Sequence, residues 1–297
     1  MSAVQGKEGE RLLERFSDNQ VRVLPLKGWI MRRFYPKPEY RQMTDLDFLI
    51  DEENRKAVKQ IMTELRYRFQ HIANENTVDS YQKDPWMHVE IHNDMISYNK
   101  ERYENIWERC EQKNAVYSMN WDDYYMFMLD HLEKHFTVAG CGIRFLLDVY
   151  IFLQAKGTEL HREKLKKEFR KRSQEAFFKQ VEETANAWFG EAYHVGDTEL
   201  ERVILLSGTF GTNSQKFENR QEKIQKKYKN KKVVKAMYFL TRTFPEYSYM
   251  CNIYPFLYKA PVLMPVMWIV RLICAPGTKM DRIRKEVGFW RKMGKKE

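Results

Sequence analysis

The sequence predicts an α+β protein in which a small β-sheet flanked by helices is followed by a mostly helical region. Short apolar runs predict strands at 21–26, 45–50 and 87–92. The apolar periodicity of a helix separates two of these runs and returns from residue 121 onward. With 297 residues, of which 43% are apolar, the chain can bury a substantial core.

The first predicted strand, 21–26, ends at Lys27 and Gly28. Residues 29–34 have helix-like spacing, so this part of the chain is predicted to be a strand, a glycine turn and a helix. A glycine lets the backbone approach a phosphate closely, and the N-terminus of a helix offers unpaired N–H groups to an anion. Two prolines then predict an extended connecting loop at 35–40.

The second predicted strand contains two aspartates, Asp45 and Asp47. Side chains alternate along a strand, so both carboxylates are expected on one face, opposite an apolar face formed by 46, 48 and 50. Two like charges this close are unfavourable when desolvated unless a cation or a proton offsets them, and Mg²⁺ prefers carboxylate and phosphate oxygens. An Asp-x-Asp is common by chance, so the neighbouring sequence has to decide whether these two aspartates bind a metal.

The third predicted strand supplies a further carboxylate. Residues 51–65 have the apolar stripe of a helix that covers a sheet, and Met87-His-Val-Glu-Ile-His92 then alternates apolar and polar residues. Glu90 joins Asp45 and Asp47 if its strand lies beside theirs. The flanking histidines, His88 and His92, are expected to orient or hydrogen-bond to their neighbours, since they match no zinc pattern.

Four elements in this order resemble the uncharacterised nucleotidyltransferases of the polymerase-β-like superfamily. They are Leu26-Lys-Gly28, Tyr35-Pro36, Arg41-Gln-Met-Thr-Asp-Leu-Asp-Phe-Leu-Ile50 and Val89-Glu-Ile-His92. The later segments 131–135 and 143–148 also look like the first helices after the sheet in that family. The resemblance covers about half of the chain and implies a small mixed β-sheet core followed by a helical partner.

The resemblance implies a Mg²⁺-dependent nucleotidyltransferase, with Mn²⁺ as a second option for the metal. Asp45, Asp47 and Glu90 would be the catalytic and metal-binding residues, and an NTP would lose its nucleoside monophosphate to a small-molecule, sugar or protein hydroxyl. Glu90 would also serve as the base. Lys27, Gly28 and Arg41 would bind the nucleotide, Arg41 because its fork matches phosphate oxygens.

Trp29 departs from the wider superfamily, whose members carry a small residue after this glycine. It leaves open a catalytically inactive binding module that has kept the fold. The Asp-x-Asp leaves open, with less support, a glycosyltransferase that holds a metal bound to a nucleotide-sugar. The glycosyltransferase would need a larger nucleotide-binding domain before the Asp-x-Asp, and only 44 residues precede Asp45.

Charge is unevenly distributed along the chain. The net charge is +10, yet residues 1–150 carry 21 Lys/Arg against 25 Asp/Glu, so a nucleic-acid groove is not expected in the catalytic half. Four scattered cysteines suit reduced thiols, and the polar N-terminus does not resemble a signal peptide. We therefore expect a cytoplasmic protein.

The predicted domains are a catalytic domain at 1–118, a helical domain at 119–275 and a basic tail at 276–297. The resemblance to the family implies that the helical domain recognises the acceptor. In the apolar segment 254–274, the longest uninterrupted apolar run is 260–270, which contains two prolines and is shorter than the ~20 residues that a spanning helix needs. With the basic tail the segment suits peripheral contact with an anionic membrane, while burial against the helical domain is the alternative.

Overall fold

A computed structural model describes residues 2–70, 78–95, 100–208, 211–212, 219–222 and 224–273. The chain forms two compact units, the first from 1–134 with 143–202 and the second from 135–142 with 203–297. The boundary expected between 118 and 119 stays a prediction, and the basic tail at 276–297 lies outside the described residues. The architecture confirms the predicted α+β class.

Seven strands within the described residues form one mixed sheet in the order β3-β4-β5-β2-β1-β7-β6. The central strand β2 pairs in parallel with β5 and antiparallel with β1. The strands are β1 Val23–Pro25, β2 Leu46–Ile50, β3 Arg68–Gln70, β4 Val78–Lys83, β5 Met87–His92, β6 Glu111–Lys113 and β7 Val116–Ser118.

Helices flank the sheet in sequence and dominate the chain after residue 120. None within the described ranges is long and apolar enough to cross a membrane. They are α1 Ser2–Asp18, α2 Lys27–Met31, α3 Arg55–Glu64, α4 Lys100–Tyr103, α5 Ile106–Arg109, α6 Trp121–Ala139, α7 Ile143–Lys156, α8 Arg162–Arg170, α9 Glu175–Phe189, α10 Glu199–Leu206, α11 Lys231–Thr243, α12 Tyr247–Ile253 and α13 Met264–Ile273.

The core lies on one face of the central strand. Leu46, Phe48 and Ile50 are at most 1% exposed and pack in one cluster with apolar residues of α1 and α3. Because side chains alternate along a strand, this packing directs Asp47 to the opposite face. Full burial of each large apolar side chain is worth about 1.5–3 kcal/mol, so a one-residue shift of the strand would be strongly disfavoured.

Helix α1 packs closely on Trp29 of α2. A Cβ added to Gly9 would lie 2.2 Å from the edge of the Trp29 ring, and Arg32 stacks over the same ring with its guanidinium carbon 5.5 Å from the centroid. Gly9 is therefore required by the space that the indole occupies.

We expect Gly9→Ala to destabilise the protein by about 1–2 kcal/mol, because overpacking against a rigid ring exceeds the roughly 1 kcal/mol gain in helix propensity. Urea denaturation would measure it. Gly6→Ala is the matched control, since its Cβ would meet only the flexible end of Arg32 at 3.0 Å. Equal effects of the two substitutions would contradict the packing argument.

A reciprocal cap begins helix α10. The Thr198 hydroxyl accepts from the backbone N–H of Glu201, and the Glu201 carboxylate accepts from the backbone N–H of Thr198 at 2.9 Å. The same carboxylate accepts from the Trp188 indole and the Gly196 backbone. Burial alone would raise the pKa of Glu201, but these hydrogen bonds lower it to about 2.

This cap predicts a pH dependence of stability. The pKa of Glu201 in the folded state lies below the ordinary value of 4.5. The stability that the cap contributes is therefore fully present above pH 4.5 and is lost as the pH falls toward 2. Glu201→Gln should cost about 1 kcal/mol at pH 7, and its difference from wild type should shrink between pH 5 and pH 2 in urea titrations. Exposed Glu199→Gln in the same turn is the control. A difference that stays constant with pH would contradict the prediction.

Candidate active site

The site is centred on two carboxylates that lie side by side on parallel strands. Asp47 of β2 is in register with Glu90 of β5, so both side chains project from the same face of the sheet. His92 follows two residues after Glu90 and shares that face. Ligand atoms of Asp47, Glu90 and His92 lie within 4.8 Å of one another, close enough to hold one metal ion. The strand adjacency on which the third carboxylate depends is therefore present.

Lys27 bridges the two carboxylates. Its Nζ lies 2.5 Å from Asp47 Oδ1 and 3.9 Å from Glu90 Oε2. Burial alone would lower the pKa of Lys27, but the charges of Asp47 and Glu90 outweigh it and raise the pKa. The ammonium is therefore kept charged at the centre of the site.

The backbone of Lys27 has an unusual conformation that positions this side chain. Its φ of +45° lies in the left-handed region, which is unfavourable for a residue other than glycine. The neighbouring Leu26 N–H donates to the Asp47 carbonyl at 2.9 Å, and the Tyr124 hydroxyl donates to the Lys27 carbonyl at 2.9 Å. Contacts with β2 and α6 therefore hold the turn.

The carboxylates of the site have unequal proton affinities. Burial alone would raise the pKa of Asp47, yet the Lys27 charge and the His92 contact lower it. Burial and the Asp47 charge instead raise the pKa of Glu90 to about 7. One carboxylate is thus firmly ionised, and its neighbour readily holds a proton.

His92 contacts Asp47 directly. The ring Nε2 lies 2.9 Å from Asp47 Oδ1, and the side chain is buried. Burial and the nearby Lys27 charge lower the pKa of His92, which favours the neutral ring. The expectation that this histidine hydrogen-bonds to a neighbour is confirmed, and its position also makes it a candidate ligand.

Asp45 lies at the edge of the site. It is half-buried, immediately before β2, and its Oδ1 accepts from the Thr44 hydroxyl at 2.9 Å. Burial and the Asp47 charge raise its pKa. Asp45 does not belong to the group of three ligand atoms found within the described residues, so its role as a metal ligand stays a prediction.

Arg41 is held in a buried ion pair. Its Nε and Nη2 each lie 2.8 Å from an oxygen of Asp148 in α7, and its Nη1 donates to a backbone carbonyl. Tyr35 also donates to Asp148, at 2.7 Å. Burial alone would lower the pKa of Arg41, but Asp148 raises it. The Arg41 guanidinium is therefore hydrogen-bonded to a carboxylate, that of Asp148. Its role in phosphate binding stays a prediction.

Gly28 lies where the chain turns into α2, and a side chain has no room there. An added Cβ would come within 2.8 Å of the Met43 sulfur and 3.2 Å of Arg41 Nη1. A packing requirement therefore accounts for this glycine whether or not it binds a nucleotide, and that second role stays a prediction.

No pattern in the sequence marks Tyr124, Tyr35 or Asp148 as site residues. Asp148 lies in the segment 143–148, whose only signal is its resemblance to the family helices. Its spacing of 107 residues from Arg41 carries no local signal, since only the tertiary fold brings the two together.

Comparisons with known proteins identify the family of the chain. Residues 2–190 match the family described as uncharacterised nucleotidyltransferase, and the chain belongs to that family. No curated protein matches the chain. The solution structure of the antibiotic-resistance factor ANT(2'')-Ia is similar at 14% identity and a TM-score of 0.46, over 61% of this chain and 97% of that one.

The Arg41 ion pair predicts a large effect on stability. Asp148→Ala should lower the free energy of unfolding by about 3–5 kcal/mol, because it leaves a buried guanidinium without its partner. Asp51→Ala is the matched control, because its partner Arg22 has a side chain that is 47% exposed, and it should cost less than about 1 kcal/mol. Urea denaturation distinguishes the two. A loss below 1 kcal/mol for Asp148→Ala would show that the pair is not needed.

Proposed function

We propose that the protein is a Mg²⁺- or Mn²⁺-dependent nucleotidyltransferase that moves a nucleoside monophosphate from an NTP to a hydroxyl of a small molecule, sugar or protein. The observation that carries this proposal is the register of Asp47 and Glu90 on parallel strands, with Lys27 between them. Membership of a nucleotidyltransferase family supports it. Contact of the C-terminal segment with a membrane is a separate proposal that rests on different residues.

The residues present fit a divalent cation. Asp47 and Glu90 offer the hard oxygen donors that Mg²⁺ prefers, and Asp45 would complete the set from the start of the same strand. The raised pKa of Glu90 reflects burial and repulsion from Asp47, which the Lys27 charge offsets only in part and which a divalent cation would offset further. When bound, the metal would neutralise phosphate charge and lower the pKa of the attacking hydroxyl.

The residues themselves would handle the proton and the charges. Glu90 would take the proton from the acceptor hydroxyl, whose oxygen forms a bond to the α-phosphorus as the bond to the β-phosphate oxygen breaks. Pyrophosphate then leaves with the electron pair of the broken bond. Lys27 has three N–H donors and would neutralise phosphate oxygens. His92 would keep the Asp47 carboxylate oriented through its contact at 2.9 Å.

Trp29 does not argue against nucleotide binding in this arrangement. Its ring packs on Gly9 of α1 and belongs to the margin of the apolar core. The indole therefore serves packing, and phosphate recognition would fall to Lys27 in place of a small hydroxyl residue after the glycine.

A binding module without catalysis is the second candidate, and the Lys27–Asp47 pair favours it. An ammonium 2.5 Å from the carboxylate already neutralises the charge that a metal would otherwise offset. Such a protein would bind a nucleotide without a metal and would release no pyrophosphate.

The two candidates differ in how NTPs stabilise the protein. If the protein is a metal-dependent transferase, we expect an NTP to raise the melting temperature only with Mg²⁺ or Mn²⁺. The shift should be measurable, since a ligand at 100 times its Kd stabilises the folded state by about 2.7 kcal/mol. Asp47→Asn should remove this shift. Asp51→Asn, directly after the same strand, is the matched control and should retain it. A shift that does not need metal would favour the binding module, and no shift with any NTP would contradict both candidates.

Turnover should depend on the same carboxylates. With excess Mg²⁺ and NTP, release of pyrophosphate to water or to added hydroxyl compounds should fall at least about 100-fold in Asp47→Asn and Glu90→Gln. Both variants should remain folded by circular dichroism. Release at the wild-type rate in either variant would exclude the proposed site.

A further inference from the structure

The second compact unit exposes an apolar ridge, which we define as Val262, Pro265, Val266 and Ile269. Val262 is 82% exposed, Ile269 57% and Val266 52%. Their spacing of three and four residues places them on one side of helix α13 and the turn before it. Four hydrocarbon side chains therefore form a continuous strip toward solvent.

The opposite side of the same helix is anchored to the unit. Met264, Met267 and Trp268 pack against a buried cluster that includes Met250 and Leu257. The Trp268 indole also donates to the Pro245 carbonyl at 3.1 Å. Because this side is held in place, the ridge is presented outward by the packing of the helix itself.

The stretch of sequence that contains the ridge is strongly basic. Residues 224–273 contain nine Lys/Arg and one acidic residue, Glu246. Residues 274–297, outside the described ranges, add eight Lys/Arg against three Asp/Glu. Several of the lysines are exposed, namely Lys226, Lys227, Lys229, Lys232 and Lys259. An apolar ridge in a basic segment is complementary to a surface that is negatively charged outside and apolar beneath.

We propose that the ridge docks on the surface of an anionic lipid bilayer. Helix α13 has 10 residues, about 15 Å at 1.5 Å per residue, and so is far shorter than a hydrocarbon core of about 30 Å. It would lie in the interface with the ridge among the acyl chains and the lysines toward the headgroups. Tyr258, 62% exposed just before the ridge, suits the same interface.

Charge and shape favour lipid over other occupants. A second copy of the chain would bring the same basic excess against itself, and like charges repel. Nucleic acid would attract the lysines, but the ridge offers its phosphates no hydrogen-bond donor. An anionic bilayer satisfies the lysines and the hydrocarbon side chains together.

Sedimentation of the full-length protein with vesicles tests the proposal. The probes are phosphatidylcholine vesicles with and without 30% phosphatidylserine. We expect binding to the anionic vesicles that weakens with salt, and a loss of about tenfold or more in Val262→Ser/Ile269→Ser. The control is Val4→Ser/Leu206→Ser, at two positions that are 53% and 74% exposed elsewhere, and it should bind as wild type.

Each other outcome would overturn the docking site. Failure to bind anionic vesicles, equal binding to neutral vesicles, or equal loss in the control pair would do so. Concentration-dependent dimerisation that the ridge variant abolishes, without vesicle binding, would assign the ridge to self-association. Asp47→Asn should bind vesicles as wild type, so the result is independent of the proposed nucleotidyl transfer.

Discussion

The candidate site depends on one constraint, the pairing of a buried carboxylate, Asp47, with a half-buried one, Glu90, at adjacent positions of parallel strands. Asp47 and Glu90 repel each other in a partly desolvated place, and each charge there needs a partner. Lys27 supplies one through a left-handed backbone turn, and His92 supplies a polar contact from the same strand as Glu90. Three features stabilise the pair of Asp47 and Glu90. They are the register of the two strands, the Lys27 turn after β1, and the hydrogen bond from Tyr124 that holds this turn.

The central part of this arrangement could be predicted from the sequence because it depends on local periodicity. Alternation along 45–50 separates Asp47 from Leu46 and Phe48, and the same rule places Glu90 on the polar face of its strand. Strand order and register depend on contacts between distant segments, which a local pattern does not encode. No helix was predicted at 2–18, since Gly6, Gly9 and many charges obscure the apolar stripe that ends at Phe16.

Arg41 shows that one chemical pattern can suit two kinds of partner. The planar fork that suggested phosphate binding suits a carboxylate equally well. The structure supplies one in Asp148, which also accepts from Tyr35. This buried network joins the segment before β2 to helix α7. Three of the five N–H groups of the guanidinium are hydrogen-bonded in this network. The role of Arg41 in phosphate binding therefore stays a prediction, and the proposed chemistry draws first on Lys27.

Dependence on one lysine has a consequence for how the proposed site would operate. The Lys27 ammonium lies 2.5 Å from Asp47 Oδ1 and neutralises that carboxylate. The same ammonium would also bind a phosphate of the nucleotide. Asp47 and Glu90 would hold a divalent cation that neutralises their charge, and the Lys27 ammonium would then serve the phosphates of the nucleotide. Metal and nucleotide would then bind cooperatively, since each reduces the unpaired charge that the other would meet. The packing of Trp29 on α1 is compatible with this arrangement, since the indole lies at the margin of the apolar core and the Lys27 ammonium lies at the carboxylates.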